Sequence, residues 1–232
     1  MISRALTDLS VRLDEVRLLA RMDPGREQSR QSPLASNAVN RACIVLLCAH
    51  LEGFLEDLVI EALDTMARLR TPVAQLPLVL RALHVEEHLK GLESIKDRNA
   101  RAPRIEQMFQ REAGLWTTGS CLTTSMLRPS MVCAEMSNPG STEVRQFLRI
   151  LDVDIEQYLR DAGSIDLLGR INGLVSMRNA IAHGDLEAKA THGDVDKYIE
   201  LVEQLAGAIE AATAATVQRI CDLPQMPWPW HQ

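Results

Sequence analysis

Six consecutive residues in the last third of the chain, 178–183, combine side chains that suit phosphate chemistry. Arg178 contributes a permanent cation, Asn179 an amide and His183 a titratable imidazole. A guanidinium binds phosphate oxygens through paired N–H donors, and an imidazole transfers protons near neutral pH. These residue types predict a site that holds a phosphate and moves a proton beside it.

The spacing of the apolar neighbours of Arg178 predicts a helix that presents all three side chains. A helix turns by about 100° per residue, so Arg178 points from the middle of the apolar face. A buried guanidinium requires an anion, either a carboxylate from another helix or a bound phosphate. Asn179 and His183 are four residues apart and share an adjoining face. The apolar residues within about 80° of Arg178 are Leu167, Leu168, Ile171, Leu174, Val175 and Ala182.

Both ends of this helix carry recognisable signals. Ser164 is a predicted N-cap, and Gly184 is a predicted C′ residue that ends the helix. In the last turn, unpaired carbonyls and the helix dipole favour the charged form of His183. Two interpretations stay open at this point. The three residues either form a phosphate site, or Arg178 makes a salt bridge and His183 serves as a cap.

The elements that must position this cluster are all predicted to be helices. Aromatic residues are scarce, Leu, Ala, Glu and Arg are abundant, and this balance favours helix over sheet. The longest predicted helix, 36–68, is apolar nearly all round between 42 and 51 and reads as the centre of a bundle. Periodicity and breaker residues predict helices at about 3–21, 36–68, 76–89, 142–151, 154–160, 164–183 and 194–221.

Two segments depart from this regular pattern. We predict an irregular insertion at about 90–141, whose first part, 90–111, is the most basic stretch of the chain. That stretch is either a solvated surface or a patch that guides a phosphate backbone toward a site elsewhere. The Pro- and Trp-rich tail, 224–232, is expected to be extended, and either frays or docks. We therefore predict one domain over 1–223, followed by this tail.

Composition restricts the environment and the partners of the protein. A net charge of −6 argues against nucleic-acid binding by bulk charge, although a local patch can still be basic. The five cysteines include no CxxC pair, which favours reduced thiols over disulfides and makes a zinc site unexpected. The N-terminus does not read as a signal peptide, and no segment reaches membrane-spanning length. We therefore expect a cytoplasmic protein without a membrane span.

Arg178, Asn179 and His183, followed by Gly184, resemble the Arg-x4-His signature of the HEPN superfamily, which includes many metal-independent ribonucleases. Residues 41–54 look like the early core helix of one prokaryotic branch, the MAE-type and RiboL-PSP-HEPN group. Asn138-Pro139 before a short helix also resembles that branch. The resemblance covers about 36–221 and implies an all-α, up-and-down helical bundle with long central helices and a short-helix insertion.

The resemblance also implies an activity and a set of partners. Two protomers would place two Arg178 and two His183 side chains in one cleft that binds RNA. Arg178 would hold the scissile phosphate, His183 would transfer a proton, and Asn179 would orient the phosphate or a partner side chain. The products would be a 2′,3′-cyclic phosphate and a 5′-hydroxyl, without a metal or cofactor. Such an endoribonuclease would belong to a toxin–antitoxin or phage-defence system, with a possible antitoxin partner.

Other residues and other functions remain as alternatives. Glu52 could pair with Arg178, or Glu52 and Glu56 could line a solvated face. His50 in its apolar run is expected to be a satisfied core histidine, and the remaining histidines, including His84 and His88, are expected at the surface. The alternative functions are a catalytically silent HEPN module that binds RNA, nucleotide or protein, and a helical scaffold.

Overall fold

A computed structural model of the chain describes residues 3–26, 32–134, 136, 138–185 and 187–223, without the side chain of Glu87. These residues form nine α-helices and no β-sheet; one isolated antiparallel bridge joins Pro72 to Cys121. The all-α prediction is therefore confirmed. The helices are α1 (Arg4–Arg21), α2 (Pro33–Arg68), α3 (Leu78–Glu93), α4 (Arg98–Trp116), α5 (Pro129–Cys133), α6 (Ser141–Arg149), α7 (Ile155–Asp161), α8 (Asp166–Ala182) and α9 (His192–Ile220).

Helix α2 lies at the centre of the bundle and contacts α1, α8 and α9. Its apolar residues are buried along most of its 36-residue length, as the near-continuous hydrophobic pattern predicts. Helix α1 buries the stripe Leu9, Leu13, Val16 and Ala20. Removing apolar side chains from water is the main contribution to stability. The same kind of burial fixes α8, which carries the candidate site, against α2.

Two buried carboxylates hold the first turn of α1 against the bundle. Glu61 of α2 accepts hydrogen bonds from the backbone N–H groups of Arg4 and Ala5, at 3.1 and 3.0 Å. Glu210 of α9 accepts from the N–H of Ser3 at 2.8 Å. The first N–H groups of a helix have no partner within the helix and attract negative charge. The two carboxylates therefore join α1 to both long helices.

Two predicted helix starts are wrong. Helix α2 begins at Pro33, three residues earlier than predicted, because proline is well tolerated at the first helical position. Helix α8 begins at Asp166, with Ile165 rather than Ser164 at the N-cap position. The Ser164 N–H donates to the carbonyl of Leu159 at 2.8 Å, and its hydroxyl donates to the carbonyl of Ala162 at 3.4 Å. Ser164 therefore closes the end of α7, and its side chain does not cap α8.

The segment predicted as an irregular insertion, 90–141, contains the end of α3 and all of α4. These two helices form an antiparallel pair, which we call the α3–α4 hairpin (78–116). A single 3-10 turn, Thr124–Met126, and the short helix α5 follow it. Proline at position 103 lies in the second turn of α4, near the helix start, where little of the hydrogen-bond ladder is lost. The basic stretch 90–111 therefore lies mainly on this hairpin.

The expectation that His84 and His88 are surface positions without companions is wrong. The His84 side chain is fully buried, with Nδ1 at 2.9 Å from the carbonyl oxygen of Leu80. Its Nε2 accepts a hydrogen bond from the N–H of Arg128 at 3.0 Å, and burial lowers its pKa. His88 Nε2 lies 3.2 Å from a carboxylate oxygen of the buried Glu112. His88 therefore joins the two helices of the hairpin, and His84 joins the hairpin to the segment at Arg128.

Three further expectations concern the cysteines, membrane spans and the C-terminal tail. The five cysteines are all free thiols, as expected. Among the helices of the described residues, none combines the length and hydropathy of a membrane span. The tail 224–232, for which fraying or docking was left open, lies outside the described residues.

Candidate active site

The end of α8 is fixed by a hydrogen-bonded C-terminal motif. Gly184 adopts a positive φ of 77° and its N–H donates to Ile181 at 3.0 Å, while the Asp185 N–H donates to Ala180 at 3.0 Å. This pattern is the Schellman motif, which favours glycine because a side chain would be strained there. Gly184 therefore has the predicted C′ role. Arg41 of α2 donates to the Asp185 carbonyl at 3.2 Å and fastens this turn to the core.

Arg178 points toward the bundle and is half-buried. Its Nη2 donates to Asn138 Oδ1 at 3.1 Å, and Leu174 and Val175, on the same face of α8, are buried. Within the described residues, no carboxylate oxygen lies within 4 Å of the guanidinium. A neutral amide accepts one hydrogen bond and leaves the positive charge uncompensated. Arg178 is therefore held in place while its charge can still act on an anion.

Cys48 of helix α2 lies beneath the Arg178 side chain. Cys48 is buried, and its Sγ lies 3.9 Å from the carbonyl oxygen of Leu174. Burial raises the pKa of this thiol to about 11, an effect that the nearby Arg178 cation opposes and Glu52 reinforces. The thiol is therefore protonated at neutral pH and presents no negative charge to Arg178.

The acidic residues of α2 lie near Cys48 but do not neutralise the charge of Arg178. No ion pair joins Glu52 to Arg178 in the described part of the chain, so the pairing that we considered does not form. The pKa of Glu56 is raised by burial and by its neighbours Glu52 and Asp57. His50 faces α1 instead, with Nε2 at 4.0 Å from Glu15 Oε2 and no hydrogen bond in the described residues. It is therefore not the satisfied core histidine that we expected.

Asn179 and His183 lie beside Arg178 at the same end of α8. Asn179 is half-buried and His183 is exposed, and the His183 N–H donates to the Asn179 carbonyl at 2.9 Å. The described residues show no hydrogen bond between the side chains of Arg178, Asn179 and His183. One helix end therefore gathers the three predicted residues in one place, with the imidazole open to solvent.

The residue that sequence reasoning missed is Asn138, which lies 40 positions before Arg178. Its dipeptide with Pro139 contributed to the family resemblance, but nothing in the sequence gave it a role. Asn172 of α8 locks this segment in place. Its Oδ1 accepts from the N–H of Ser141 at 2.9 Å, and its Nδ2 donates to Ser141 Oγ at 3.0 Å. The segment that carries Asn138 is therefore pinned to the same helix as Arg178.

An apolar strip runs along the open side of α2, beside the site. Its members recur every three or four residues and are exposed; Leu34 is 83% exposed and Val45 is 38% exposed. Cys48, at the edge of the same helix face, lies next to Arg178, and Glu52 lies near the same thiol. We call this surface the α2 strip. It consists of Leu34, Ala38, Ala42, Val45 and Ala49.

Comparison with known protein families gives one result over most of the chain. The model of the RiboL-PSP-HEPN family matches residues 7–214. The chain belongs to the RiboL-PSP-HEPN family. No curated protein matches the chain, and no solved structure matches it.

Membership confirms the resemblance to this branch of the HEPN superfamily. It identifies the helical bundle as a HEPN domain and extends the match upstream into α1. It does not test the roles of Arg178, Asn179 and His183.

Proposed function

We propose that this HEPN domain is a metal-independent endoribonuclease that uses Arg178, Asn179 and His183. The observation that carries the proposal is the setting of Arg178, whose half-buried guanidinium is held by the neutral Asn138 rather than by a carboxylate. A structural arginine in this position would be expected to face an anion of the protein. An arginine kept without one suits the transient binding of a phosphate.

The proposed reaction is a transesterification within the RNA chain. The ribose 2′-oxygen attacks phosphorus, the bond between phosphorus and the 5′-oxygen breaks, and a 2′,3′-cyclic phosphate and a 5′-hydroxyl are formed. His183 accepts the proton of the 2′-hydroxyl, and a second acid gives a proton to the leaving 5′-oxygen. Arg178 offsets the charge that builds on the phosphorane oxygens, and Asn179 orients the phosphate.

The need for a second acid leads to a homodimer. Each protomer has a single imidazole at this end of α8, whereas the reaction needs one base and one acid. A second copy packed on the α2 strip would bring its own His183 toward the same phosphate. The strip is apolar and exposed, and Cys48 of the same helix lies next to Arg178. An exposed apolar surface of this kind is suited to being covered in an assembly.

The cellular role that we propose is a toxin or a phage-defence ribonuclease acting on cytoplasmic RNA, with a possible antitoxin protein as a partner. A catalytically silent HEPN module that binds RNA, nucleotide or protein is the second candidate. The exposed His183 favours the second candidate, because no side chain in the described residues orients its ring. A direct test of cleavage separates the two.

The decisive experiment incubates labelled RNA with purified protein in EDTA. We expect wild type to cleave it to products that end in a cyclic phosphate. Arg178→Ala should lose about a hundredfold or more in rate because the phosphorane charge is no longer offset. His183→Ala should lose about a hundredfold to ten-thousandfold, because it removes the proton transfer. Arg170→Ala is the matched control, since Arg170 lies on α8 but is exposed and pairs with Asp166.

Two outcomes would count against the mechanism. Equal cleavage by wild type, Arg178→Ala and His183→Ala would show that the activity lies elsewhere or in a contaminant. No cleavage by wild type on any RNA tested would favour the silent module. A thermal melt of each variant completes the test, because a scaffold role for Arg178 predicts lost stability, whereas the catalytic role predicts lost rate at nearly unchanged stability.

A further inference from the structure

A second group of cationic side chains lies in a pocket of the α3–α4 hairpin, away from the candidate active site. The pocket, about 390 Å³ in volume, is within the range of small-ligand sites. Its polar lining residues are donors or cations: His88, Ser94, Arg104, Gln107 and Arg111.

The local charge is opposite to that of the rest of the protein. Residues 88–111 contain six Lys and Arg against three Asp and Glu, a net charge of +3, whereas the whole chain carries −6. The remaining residues therefore sum to −9. A basic pocket on an acidic protein attracts anions locally and is not a consequence of overall composition.

A buried carboxylate lies beside this pocket. Glu112 is 4% exposed and lies 2.7 Å from Arg128 Nη2, 3.2 Å from His88 Nε2 and 3.9 Å from Arg111 Nε. The contact to Arg111 is the longest of the three, and the Arg111 side chain is 56% exposed. Its guanidinium can therefore still bind an anion in the pocket.

Arg104 adds a further cation at the rim. Its Nη1 is 3.4 Å from Gln107 Oε1, and in the described part of the hairpin no carboxylate lies within 4 Å of it. Two other basic residues of the hairpin are engaged elsewhere, since Arg101 donates to the carbonyl of Ile95 and Lys90 pairs with Glu86. The guanidinium groups that line the pocket are those of Arg104 and Arg111.

The arrangement of donors favours a phosphate over other anions. Two guanidinium groups offer paired N–H donors that match phosphate oxygens. The Glu112 carboxylate can only accept a hydrogen bond, so His88 Nε2 carries a proton and is engaged by Glu112 rather than by a ligand. Ser94 and Gln107 provide further polar donors around the anion.

We propose that Arg104 and Arg111, with Ser94 and Gln107 beside them, form a phosphate-binding site that anchors RNA at a distance from Arg178. The choice of RNA as the source of the phosphate rests on the proposed function. A free nucleotide would offer the same chemistry. The segment after the hairpin connects the two sites, since Arg128 contacts His84 and Glu112 and Asn138, ten residues later, holds Arg178.

Binding is measured with a labelled 2′-O-methyl RNA oligonucleotide, which lacks the attacking hydroxyl, so that the result does not depend on cleavage. We expect Arg104→Gln and Arg111→Gln each to weaken binding by roughly tenfold and to lower the salt slope by about one. Lys90→Gln, which changes the same charge on the same hairpin outside the pocket, should change affinity little.

A second variant fills the pocket without changing charge. Gly91 lines it, and a side chain added there meets no atom within 4 Å. Gly91→Leu should leave the fold intact, because leucine has the higher helix propensity, and should weaken binding of the oligonucleotide. Equal losses of oligonucleotide affinity in Lys90→Gln and Arg104→Gln would contradict the proposed site. Full affinity in Gly91→Leu and in both arginine variants would contradict it as well.

The same variants distinguish the source of the phosphate. Titration with adenosine monophosphate or inorganic phosphate, with weakening in Arg104→Gln, would retain the site but assign it to a free nucleotide or phosphate if the oligonucleotide does not bind. Loss of cleavage in Arg178→Ala with unchanged oligonucleotide binding would support both proposals. Binding that depends on Arg104 in a protein that never cleaves RNA would support the pocket and contradict only the ribonuclease.

Discussion

At the scale of single residues, the candidate site depends on which partner each polar group has. Arg178 has a neutral partner, Asn138, and a protonated thiol, Cys48, beneath it. A carboxylate in either place would form an ion pair and compete with a phosphate for the guanidinium. The site is therefore defined as much by the absence of a charged partner near Arg178 in the described residues as by the residues of the motif.

This setting predicts different effects for two substitutions of Asn138. Asn138→Ala should lower kcat by roughly tenfold, because the guanidinium loses the hydrogen bond that positions it. Asn138→Asp should raise KM more than it lowers kcat, because the new carboxylate pairs with Arg178 and must be displaced by RNA. Steady-state cleavage kinetics at several salt concentrations give both constants. Identical kinetics for the two variants would contradict a positioning role.

At the scale of helices, the site depends on α8 being fixed relative to its neighbours. The Schellman turn at Gly184, the Arg41 contact and the Asn172–Ser141 pair fasten its C-terminal half. Helix α1 is fastened in a comparable way by Glu61 and Glu210 at its first turn. Polar contacts at helix ends thus set positions that apolar packing leaves adjustable.

The contact at α1 gives a stability prediction. Glu61→Gln should lower the free energy of unfolding by about 1–3 kcal/mol, since an amide has one acceptor oxygen for two N–H groups and turns a donor toward the other. Asp64→Asn is the control, because Asp64 lies on α2 but is exposed. Chemical denaturation measures both. A loss no greater than that of the control would show that Glu61 contributes little to the capping of α1.

At the scale of the whole molecule, one protomer offers an incomplete catalytic set. It presents one Arg178, one Asn179 and one His183 at the end of α8, with the apolar α2 strip alongside. Burying that strip in a second copy would remove apolar surface from water and place two motif helices together. The oligomeric state and the chemistry are therefore linked in the proposed enzyme.

Substitution in the strip tests this link. Val45→Glu should yield monomers and abolish cleavage, because a charge in an apolar interface is costly to bury. Val45→Leu should remain dimeric and active. Sedimentation or light scattering gives the mass, and the cleavage assay gives the activity of each variant. An active monomeric Val45→Glu, or a wild type that is monomeric and active, would contradict the composite site.

The sequence by itself determined seven of the nine α-helices of the described residues, the buried face of α8, the end of α8 at Gly184 and the placement of Arg178, Asn179 and His183 together. All of these follow from local rules, because helical periodicity and end signals act over a few residues. It did not predict α4 and α5, which lie in the segment expected to be irregular. The N-cap assigned to Ser164 was wrong, because the preceding helix α7 used the same residue.

Only tertiary structure decided that Asn138 holds Arg178, that Glu52 does not, and that His88 meets Glu112. These pairs join residues 24 to 40 positions apart in the chain, and helix packing, rather than residue type, sets which of them come within hydrogen-bond distance.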